Sequence, residues 1–323
     1  MNPVLFRKCV SEVLLLFTAC GLLMFAFCWV RIFIVASLDT GSFATIIDQL
    51  WDNWGHLSPV PLSQLLTQTG RIAIGYDEPM VWLTMTIFAI SRGSAAVSGE
   101  LSRGTMEMLL AQPISRLQVL YSQAVVTVAC IALLSAATWC GTWSGIQTAR
   151  ATEMEPAASI QIPLTKWRVP ISLEPPKKVR VPMRERVDAK DFLPGAMNLF
   201  CLGVCMAGLT TLVSACGRYR WSTIGVISTF FVFQMIFKVL CRAFTSTEWL
   251  EYFTILSAYE PQRLIFFAAE MPEHYWSWWV PAGEKNPALP GPLMNYVTLL
   301  VIGGLSYLGA GVVFHRRDLP APL

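Results

Sequence analysis

The sequence predicts an all-α polytopic membrane protein with six transmembrane helices. The first observation is composition: 54% of the 323 residues are hydrophobic, 14% are charged, and the mean hydropathy is +0.51. A soluble domain carries about 25% charged residues, so close to half of the usual charge is missing. The second observation is that charge is absent from several long stretches. The third is that Lys and Arg residues collect in alternate connecting segments.

Five stretches contain no Asp, Glu, Lys or Arg, and each can supply a span of about 20 residues, the fourth by extending past Lys238. They cover residues 13–30, 117–149, 193–217, 221–237 and 286–314. A sixth span, from Pro79 to Val97, is interrupted by Arg92, which we expect to reach the lipid head groups. The predicted spans in a single transmembrane domain, residues 1–323, are therefore 13–36, 79–97, 117–146, 193–216, 221–243 and 293–314.

The chain begins with a short basic segment, MNPVLFRKC, ahead of the first span. We expect this segment, with Arg7 and Lys8, to lie at the membrane interface. FTAC, which ends at Cys20, faintly resembles a lipoprotein cleavage box, but the apolar run continues well past it. A retained first helix is therefore predicted rather than a cleaved signal peptide.

The distribution of Lys and Arg predicts the orientation. Six spans place both termini on one side, and loops on the cytoplasmic side carry the excess of basic residues. The predicted outer loops 39–78 and 244–292 are mainly acidic, whereas the basic residues on the terminal side are Arg7, Lys8, Arg92, Arg103, Arg116, Arg218, Arg220, Arg316 and Arg317. Both termini are predicted to be cytoplasmic, in a bacterial plasma (inner) membrane.

The long loop between the third and fourth spans, 147–192, disagrees with the charge rule. It carries nine Lys and Arg residues against six acidic ones, yet the six-helix count places it outside. The outward placement is kept because inverting the loop would require losing or gaining a span elsewhere. Its many prolines favour extended or strand-like structure over helix.

Two further patterns concern helix packing and the fifth span. Small residues recur at four-residue spacing in the third and fourth spans, which predicts close contact between helix backbones. These residues are Ala137, Gly141 and Gly145, then Gly203, Ala207, Thr211 and Ala215. Lys238 and Arg242 lie near the outer end of the fifth span, and we expect them to extend to the head groups rather than line a path.

Catalytic constellations are absent from the sequence. The three histidines are widely separated, and HExxH, GxSxG, CxxC and paired carboxylates within the spans are all missing. No GxxxxGK[ST] loop is present to hold ATP phosphates. Cys201 and Cys205 are four residues apart, but packing between helices is favoured over a soft-metal site. The chain is predicted not to be an enzyme and to bind no metal or cofactor itself.

The stretch SGELSRGTMEMLLAQPISR, residues 98–116, is predicted to form a cytoplasmic amphipathic helix between the second and third spans. Gly99 and Gly104 punctuate it, Pro113 breaks it, and Ser115 caps the next helix. An apolar stripe would comprise Met106, Leu109 and Leu110, with a charged face of Glu100, Arg103 and Glu107. Such an element suits a membrane subunit that contacts a soluble motor, although an ordinary helix on the membrane surface would look similar.

The sequence GELSRGTMEMLLAQPISRLQVLYSQ resembles the cytoplasmic stretch of the ABC-2 type permeases, the membrane subunits of type-2 ABC transporters. The matching pattern is an acidic residue, Gly-Thr, a Leu-rich turn, Pro, a small residue and Arg. It is carried by Glu100, Gly104, Thr105, Leu109, Leu110, Pro113, Ser115 and Arg116. MNPVLFRK resembles the interfacial helix of this family, and FHRRDL at 314–319 resembles its ending. The loop 147–192 is longer and more basic than the family norm.

The resemblance implies a partner ATPase that binds ATP and Mg²⁺, and a second permease copy or homologue in a two-plus-two assembly within membrane lipid. It also implies that the segment 98–116 transmits motion from the ATPase to the spans. The residues expected to do so are Glu100, Arg103, Gly104, Thr105, Glu107, Leu109, Leu110, Pro113 and Arg116.

Three functions remain open at this point. The first is an export permease for a hydrophobic or amphipathic substrate. The second is a non-transporting membrane scaffold, or mechanotransmission partner, that uses an ATPase for mechanical work. The third, a polytopic membrane enzyme, is disfavoured by the missing carboxylate and histidine clusters. The small net charge of +3 gives no indication of nucleic-acid binding.

Overall fold

The structure is a computed structural model that describes residues 3–37, 67–111, 114–154, 159–161, 168–170, 178–244, 254–280 and 289–317. Within these ranges six helices are long and apolar enough to cross a membrane. They are Phe6–Ser37, Gln68–Ser102, Arg116–Thr148, Ala189–Cys216, Arg220–Ala243 and Pro292–Arg316. Each predicted span lies inside one of them, so the prediction of an all-α polytopic membrane protein with six spans is confirmed.

Nine α-helices build the fold, counted over the described ranges. They are α1 (Pro3–Ser37), α2 (Gln68–Asp77), α3 (Pro79–Ser94), α4 (Thr105–Leu110), α5 (Arg116–Thr148), α6 (Leu193–Cys216), α7 (Arg220–Ala243), α8 (Pro261–Glu270) and α9 (Pro292–Arg316). Helix α3 continues through a π-helical turn, Ala95–Gly99, and a last α-turn, Glu100–Ser102. Helices α2 and α8 lie within stretches that were predicted to be outer loops.

The expected interfacial segment at the start of the chain is part of α1. This helix runs without interruption from Pro3 to Ser37. Cys9 and Val13 are 1% and 2% exposed, so the buried face of the first span already begins near residue 9. The basic segment is therefore continuous with the first span, and its position at the membrane interface stays a prediction.

Helices α3 and α6 form the centre of the bundle. The predicted head-group contact of Arg92 is wrong, since its side chain is 5% exposed and lies between helices. Helix α6 packs closely on α9, where a Cβ atom added to Gly208 would lie 2.4 Å from the Gly303 carbonyl oxygen. On the other side α1 packs on α5, where a Cβ atom on Gly141 would lie 2.5 Å from the Phe25 carbonyl oxygen. The predicted small-residue face of α5 is thus used for packing inside this chain.

The basic loop contains strands, as its prolines predicted. Strand β1 (Arg150–Met154) pairs antiparallel with β4 (Lys178–Pro182), and β2 (Ser159–Gln161) pairs antiparallel with β3 (Arg168–Pro170). Two 3-10 turns, Met183–Glu185 and Ala189–Phe192, then lead into α6. A third pair joins β5 (Trp279–Val280) to β6 (Leu289–Pro290) just before α9.

Contacts between distant residues define the two ends of the bundle. At one end, here called the Glu100 end, Lys8 of α1 contacts Glu100, and Arg317 donates to the Gly217 carbonyl at 2.9 Å. At the other, the Glu260 end, the Glu260 amide donates to the Asn198 side chain at 3.1 Å. The beginning of α1 and the end of α9 therefore lie on the same side of the bundle. Which side faces the cytoplasm stays a prediction.

Candidate functional site

The segment 98–116 is a helix, a turn and a second helix rather than a single amphipathic helix. The extension of α3 ends at Ser102, and Gly104 follows with a φ of 70°. The Gly104 amide donates to the Leu101 carbonyl at 3.1 Å, which closes the helix end. A left-handed backbone at this point favours glycine because a Cβ atom would crowd the chain. Gly104 therefore separates α3 from α4.

Glu100 is the centre of an ionic cluster inside this chain. Its side chain is 1% exposed, and it accepts hydrogen bonds from Lys8 Nζ at 3.3 Å and from an Arg103 guanidinium nitrogen at 2.9 Å. The Thr105 hydroxyl also donates to its carboxylate. A buried carboxylate requires such partners, because leaving water without them is costly. The structure thus unites three predicted site residues and adds Lys8, which lies 92 positions away in sequence.

The π-helical turn of α3 connects this cluster to two other spans. The Ser98 amide donates to the Ser214 hydroxyl of α6 at 2.9 Å, and the Ser98 hydroxyl lies 3.1 Å from that of Thr223 in α7. The Ser98 hydroxyl also donates to the Ser94 carbonyl at 2.9 Å. Wide turns of this kind expose carbonyl groups and often occur at functional sites. The segment is therefore hydrogen-bonded directly to α6 and α7.

Arg116 contacts the end of the chain rather than the Glu100 cluster. Its guanidinium donates to the Arg317 carbonyl at 2.7 Å, and Arg317 in turn donates to the Ala215 carbonyl at 2.8 Å. Just before it, Ser115 and Gln118 form a reciprocal capping box at the start of α5. The predicted cap at Ser115 is confirmed, and Arg116 connects α5 to α6 and α9.

The short helix α4 presents one buried and one exposed methionine. Met106 is 1% exposed and packs with Val97, Leu120 and Phe314, as its place in the predicted apolar stripe implied. Met108 is 74% exposed, and the sequence analysis did not single it out. The backbone of Glu107, Leu109 and Leu110 is helical, whereas Pro113 lies outside the described residues.

Among the side chains that the structure describes, Arg103 and Met108 are the long exposed ones of this element, and they are here called the docking surface after the role proposed below. The Arg103 side chain is 46% exposed although it pairs with Glu100. An exposed methionine beside a partly exposed arginine, at the end of a bundle, is a composition typical of protein interfaces. In the sequence, Met108 could have been identified only from its spacing: it follows Met106 by two residues, which places it on the other side of helix α4.

A second ionic cluster lies at the Glu260 end. Glu260 pairs with Arg242 at 2.7 Å and with Arg263 at 2.6 Å, and Lys238 donates to the Tyr259 carbonyl at 2.6 Å. The expectation that Lys238 and Arg242 extend to the head groups was wrong, because these internal partners hold them inward. Burial, followed by the charge of Asp77, raises the pKa of the Tyr259 hydroxyl well above its usual range.

A cavity of about 410 Å³ lies beside this cluster, between α3, α6 and α7. Apolar side chains form much of its wall, including Trp82, Leu202 and Met235, while Asp77 and Lys238 add charge of both signs. Val239, which also borders the cavity, is 56% exposed, so the cavity lies close to the surface of the bundle. A molecule with an apolar body and a polar head would fit this lining.

Comparison with protein families decides the class of the molecule. The family model of the ABC-2 family transporter protein matches residues 14–319. The chain belongs to this family. The match includes the basic loop, which the resemblance of the sequence to ABC-2 permeases did not cover. No curated protein matches the chain.

Membership of the ABC-2 family establishes the general role. The chain is a multi-pass membrane permease of an ABC transporter, a membrane transport component. Family membership also implies an ABC ATPase partner and an assembly that is typically dimeric. The helix–turn–helix at Glu100 and the cavity near Glu260 are the two features of this permease on which a mechanism can be built.

Proposed function

We propose that this permease is an exporter subunit, driven by a separate ATPase that docks on the segment 98–116. The observation that carries the proposal is the geometry of the Glu100 end. There the exposed docking surface is held in place by the ionic cluster around Glu100. The ATPase binds ATP and Mg²⁺ and hydrolyses the ATP, so by this proposal the permease contributes no catalytic residue. By this proposal the docking surface faces the cytoplasm of a bacterial cell, and two permease copies or homologues pair with two ATPases.

The arrangement supports a division of labour within the segment. Arg103 and Met108 are available to an ATPase, whereas the Glu100 carboxylate is already satisfied inside the chain. Glu100 would therefore hold the segment in shape rather than contact the partner. In this arrangement, only part of the charge in the segment is left to contact the ATPase, since Glu100 is paired inside the permease.

Motion imposed on the docking surface has defined routes into the membrane. Glu100 couples the segment to α1 through Lys8, and Ser98 couples it to α6 and α7. The segment is hydrogen-bonded to α1, α6 and α7. By this proposal, closure of the ATPase dimer moves the segment and therefore shifts these three spans together. These contacts are the physical basis of the proposed coupling.

The cavity at the Glu260 end supports an amphipathic or hydrophobic substrate. Its wall is mainly apolar, Asp77, Lys238 and Arg242 add charged groups, and the exposed Val239 borders it. A water-soluble, highly charged substrate would leave much of this wall without favourable contact. The proposal therefore favours a molecule that can enter from the lipid.

The test is association and coupled ATP hydrolysis after Met108→Asp. The tagged permease is purified from its native membrane together with the ATPase subunit, which mass spectrometry identifies by its Walker A loop. In proteoliposomes, we expect Met108→Asp to lower the ATPase-to-permease ratio and the coupled rate at least about fivefold, because a buried interfacial side chain contributes 1 kcal/mol or more.

The matched control is Arg180→Glu, which changes charge in strand β4, at the Glu260 end, where Arg180 is exposed. It should keep wild-type association and turnover, and both variants should unfold at the wild-type temperature. Wild-type association of Met108→Asp would refute the docking role of this surface.

A mechanotransmission partner is the second candidate, and it shares the docking surface. The cavity beside Lys238 favours transport, since a scaffold needs no internal space for a ligand. Substrate accumulation in inverted proteoliposomes distinguishes the two. ATP hydrolysis that responds to the permease without any accumulated or depleted solute would support the scaffold.

A further inference from the structure

The basic loop forms a shallow groove against the outer part of α5. Trp139 and Trp143 line it from α5, and Arg184, Arg186 and Lys190, here called the cations of its rim, line it from the loop. The volume of the groove is about 500 Å³. Neither the docking surface nor the cavity at Glu260 uses these residues, so the role of the basic loop is still open.

The rim is held in place by residues that alternate with its cations. Met183, Val187 and Ala189 are 0%, 4% and 8% exposed and pack into the bundle, while the three cations next to them in the sequence are exposed. The Met183 amide donates to the Ala149 carbonyl at 3.1 Å, and the Trp139 indole donates to the Ala189 carbonyl at 3.0 Å. The cations therefore stand on a fixed backbone and not on a free loop.

The length of α5 and the place of Trp143 on it favour a position of the groove at the level of the lipid head groups. Helix α5 has 33 residues and is about 50 Å long at 1.5 Å per residue. The hydrocarbon core is about 30 Å thick, so α5 projects beyond it at its ends. Trp143 is five residues from the end of α5 at Thr148, and its side chain is 47% exposed. Tryptophan at this depth is typical of the interface between membrane and water.

The charges of the rim favour an anion. Three cations face the groove against two carboxylates, Glu185 and Asp188. Asp188 is partly committed, because its carboxylate accepts a hydrogen bond from the Lys190 amide at 3.0 Å. Guanidinium groups bind phosphate oxygens through paired N–H donors, and tryptophan rings pack against the glycerol and upper acyl region.

From this juxtaposition we infer that the groove between the basic loop and α5 is a binding site for the phosphodiester head group of an anionic phospholipid. The lipid would sit with its phosphate among Arg184, Arg186 and Lys190 and its upper acyl chain along Trp143. This site would explain why the loop is basic: its cations bind anionic head groups of the adjacent membrane. This site is independent of the ATPase and of the substrate cavity.

The test compares the binding of an anionic lipid and of a zwitterionic lipid to the isolated full-length permease. Nanodiscs are prepared with equal amounts of phosphatidylglycerol and phosphatidylcholine, and the lipids retained after delipidation are counted by native mass spectrometry. The triple variant Arg184→Gln, Arg186→Gln, Lys190→Gln is set against the control pair Arg150→Gln, Arg180→Gln, which removes exposed cations of strands β1 and β4 outside the groove.

We expect the wild type and the control pair to retain phosphatidylglycerol preferentially, and the triple variant to lose this preference. Each cation near an anionic head group contributes a factor of about five, so the loss should approach a hundredfold. Trp143→Ala should weaken retention while leaving the preference for the anionic lipid unchanged.

Three results would overturn the inference. One is equal retention of both lipids by the wild type, and another is an unchanged preference in the triple variant. The third is displacement of the bound lipid by millimolar soluble glycerol phosphate, which would identify the ligand as a free phosphate ester. Because no ATPase is present, failure here is distinguishable from failure of the proposed coupling.

Discussion

The two ends of the bundle each carry a buried carboxylate paired with two cations, and the two clusters differ in how exposed those cations are. Glu100 is 1% exposed, and its cations Lys8 and Arg103 are 36% and 46% exposed at the side chain. The Glu260 side chain is 8% exposed, and its partners Arg242 and Arg263 are 26% and 15% exposed. The first cluster presents its cations outward, and the second encloses them beside a cavity. The more open cluster suits contact with a soluble protein, and the more closed one suits shaping an internal space.

The largest expected effect is an all-or-none difference in access to the two ends. Arg180→Cys and Glu273→Cys, at exposed positions of the Glu260 end, should react with an impermeant thiol reagent on intact cells. Met108→Cys should react only after the cells are opened. The background carries serine at Cys140 and Cys216, the cysteines classed as exposed in the structure.

The opposite pattern, with Met108→Cys labelled on intact cells, would invert the predicted orientation. Labelling of Glu273→Cys without Arg180→Cys would challenge the outward placement of the basic loop.

The next effect separates the two carboxylates by stability. Glu260→Gln removes the carboxylate that pairs with two largely enclosed guanidinium groups, which costs about 3–5 kcal/mol for a buried pair. Glu100→Gln should cost only about 1–2 kcal/mol, because Lys8 and Arg103 can turn to water and the amide still accepts from Thr105. Thermal unfolding in detergent measures both. Equal destabilisation would contradict the contrast between the enclosed and the open cluster.

A smaller effect concerns the turn that separates α3 from α4. Gly104→Ala places a Cβ atom in a left-handed backbone and should cost about 1–2 kcal/mol and lower coupled ATP hydrolysis. Gly104→Asn should retain most of the activity because asparagine tolerates this conformation better. Gly104→Pro should be worse than alanine, since proline cannot adopt φ of 70° and cannot donate to the Leu101 carbonyl.

The matched control for the turn is Gly225→Ala, where an added Cβ atom meets nothing within 4 Å inside a regular helix. It should be neutral or slightly stabilising. If Gly104→Ala and Gly225→Ala behaved alike in both stability and coupled turnover, the special conformation of Gly104 would have no functional weight.

The smallest effect tests how much of the coupling depends on Ser98. Ser98→Ala removes one hydroxyl from its contacts with Ser214 and Thr223 but keeps the backbone donor to Ser214. A loss of about 1 kcal/mol in stability is expected. Coupled ATP hydrolysis in proteoliposomes should fall while ATPase association stays at the wild-type level. A matching fall in association would assign Ser98 to docking instead.

The sequence by itself determined the membrane character, the six spans and the family resemblance. Uncharged runs of sufficient length have few alternatives to spanning helices, since every backbone polar group in lipid must be satisfied within the helix. The turn at Gly104, the cap at Ser115 and the extended backbone of the proline-rich loop could also be predicted, because each depends on neighbouring residues, whereas the pairing of β1 with β4 does not.

Only the tertiary structure decided where the charges go. Arg92, Lys238 and Arg242 were expected at the head groups, yet their side chains turn into the bundle towards positions that local sequence does not specify. Lys8 meets Glu100 across 92 residues, and Arg317 reaches the ends of other helices. A long cation can either extend to water or fold back to an internal acceptor, and the choice depends on which helix is packed beside it.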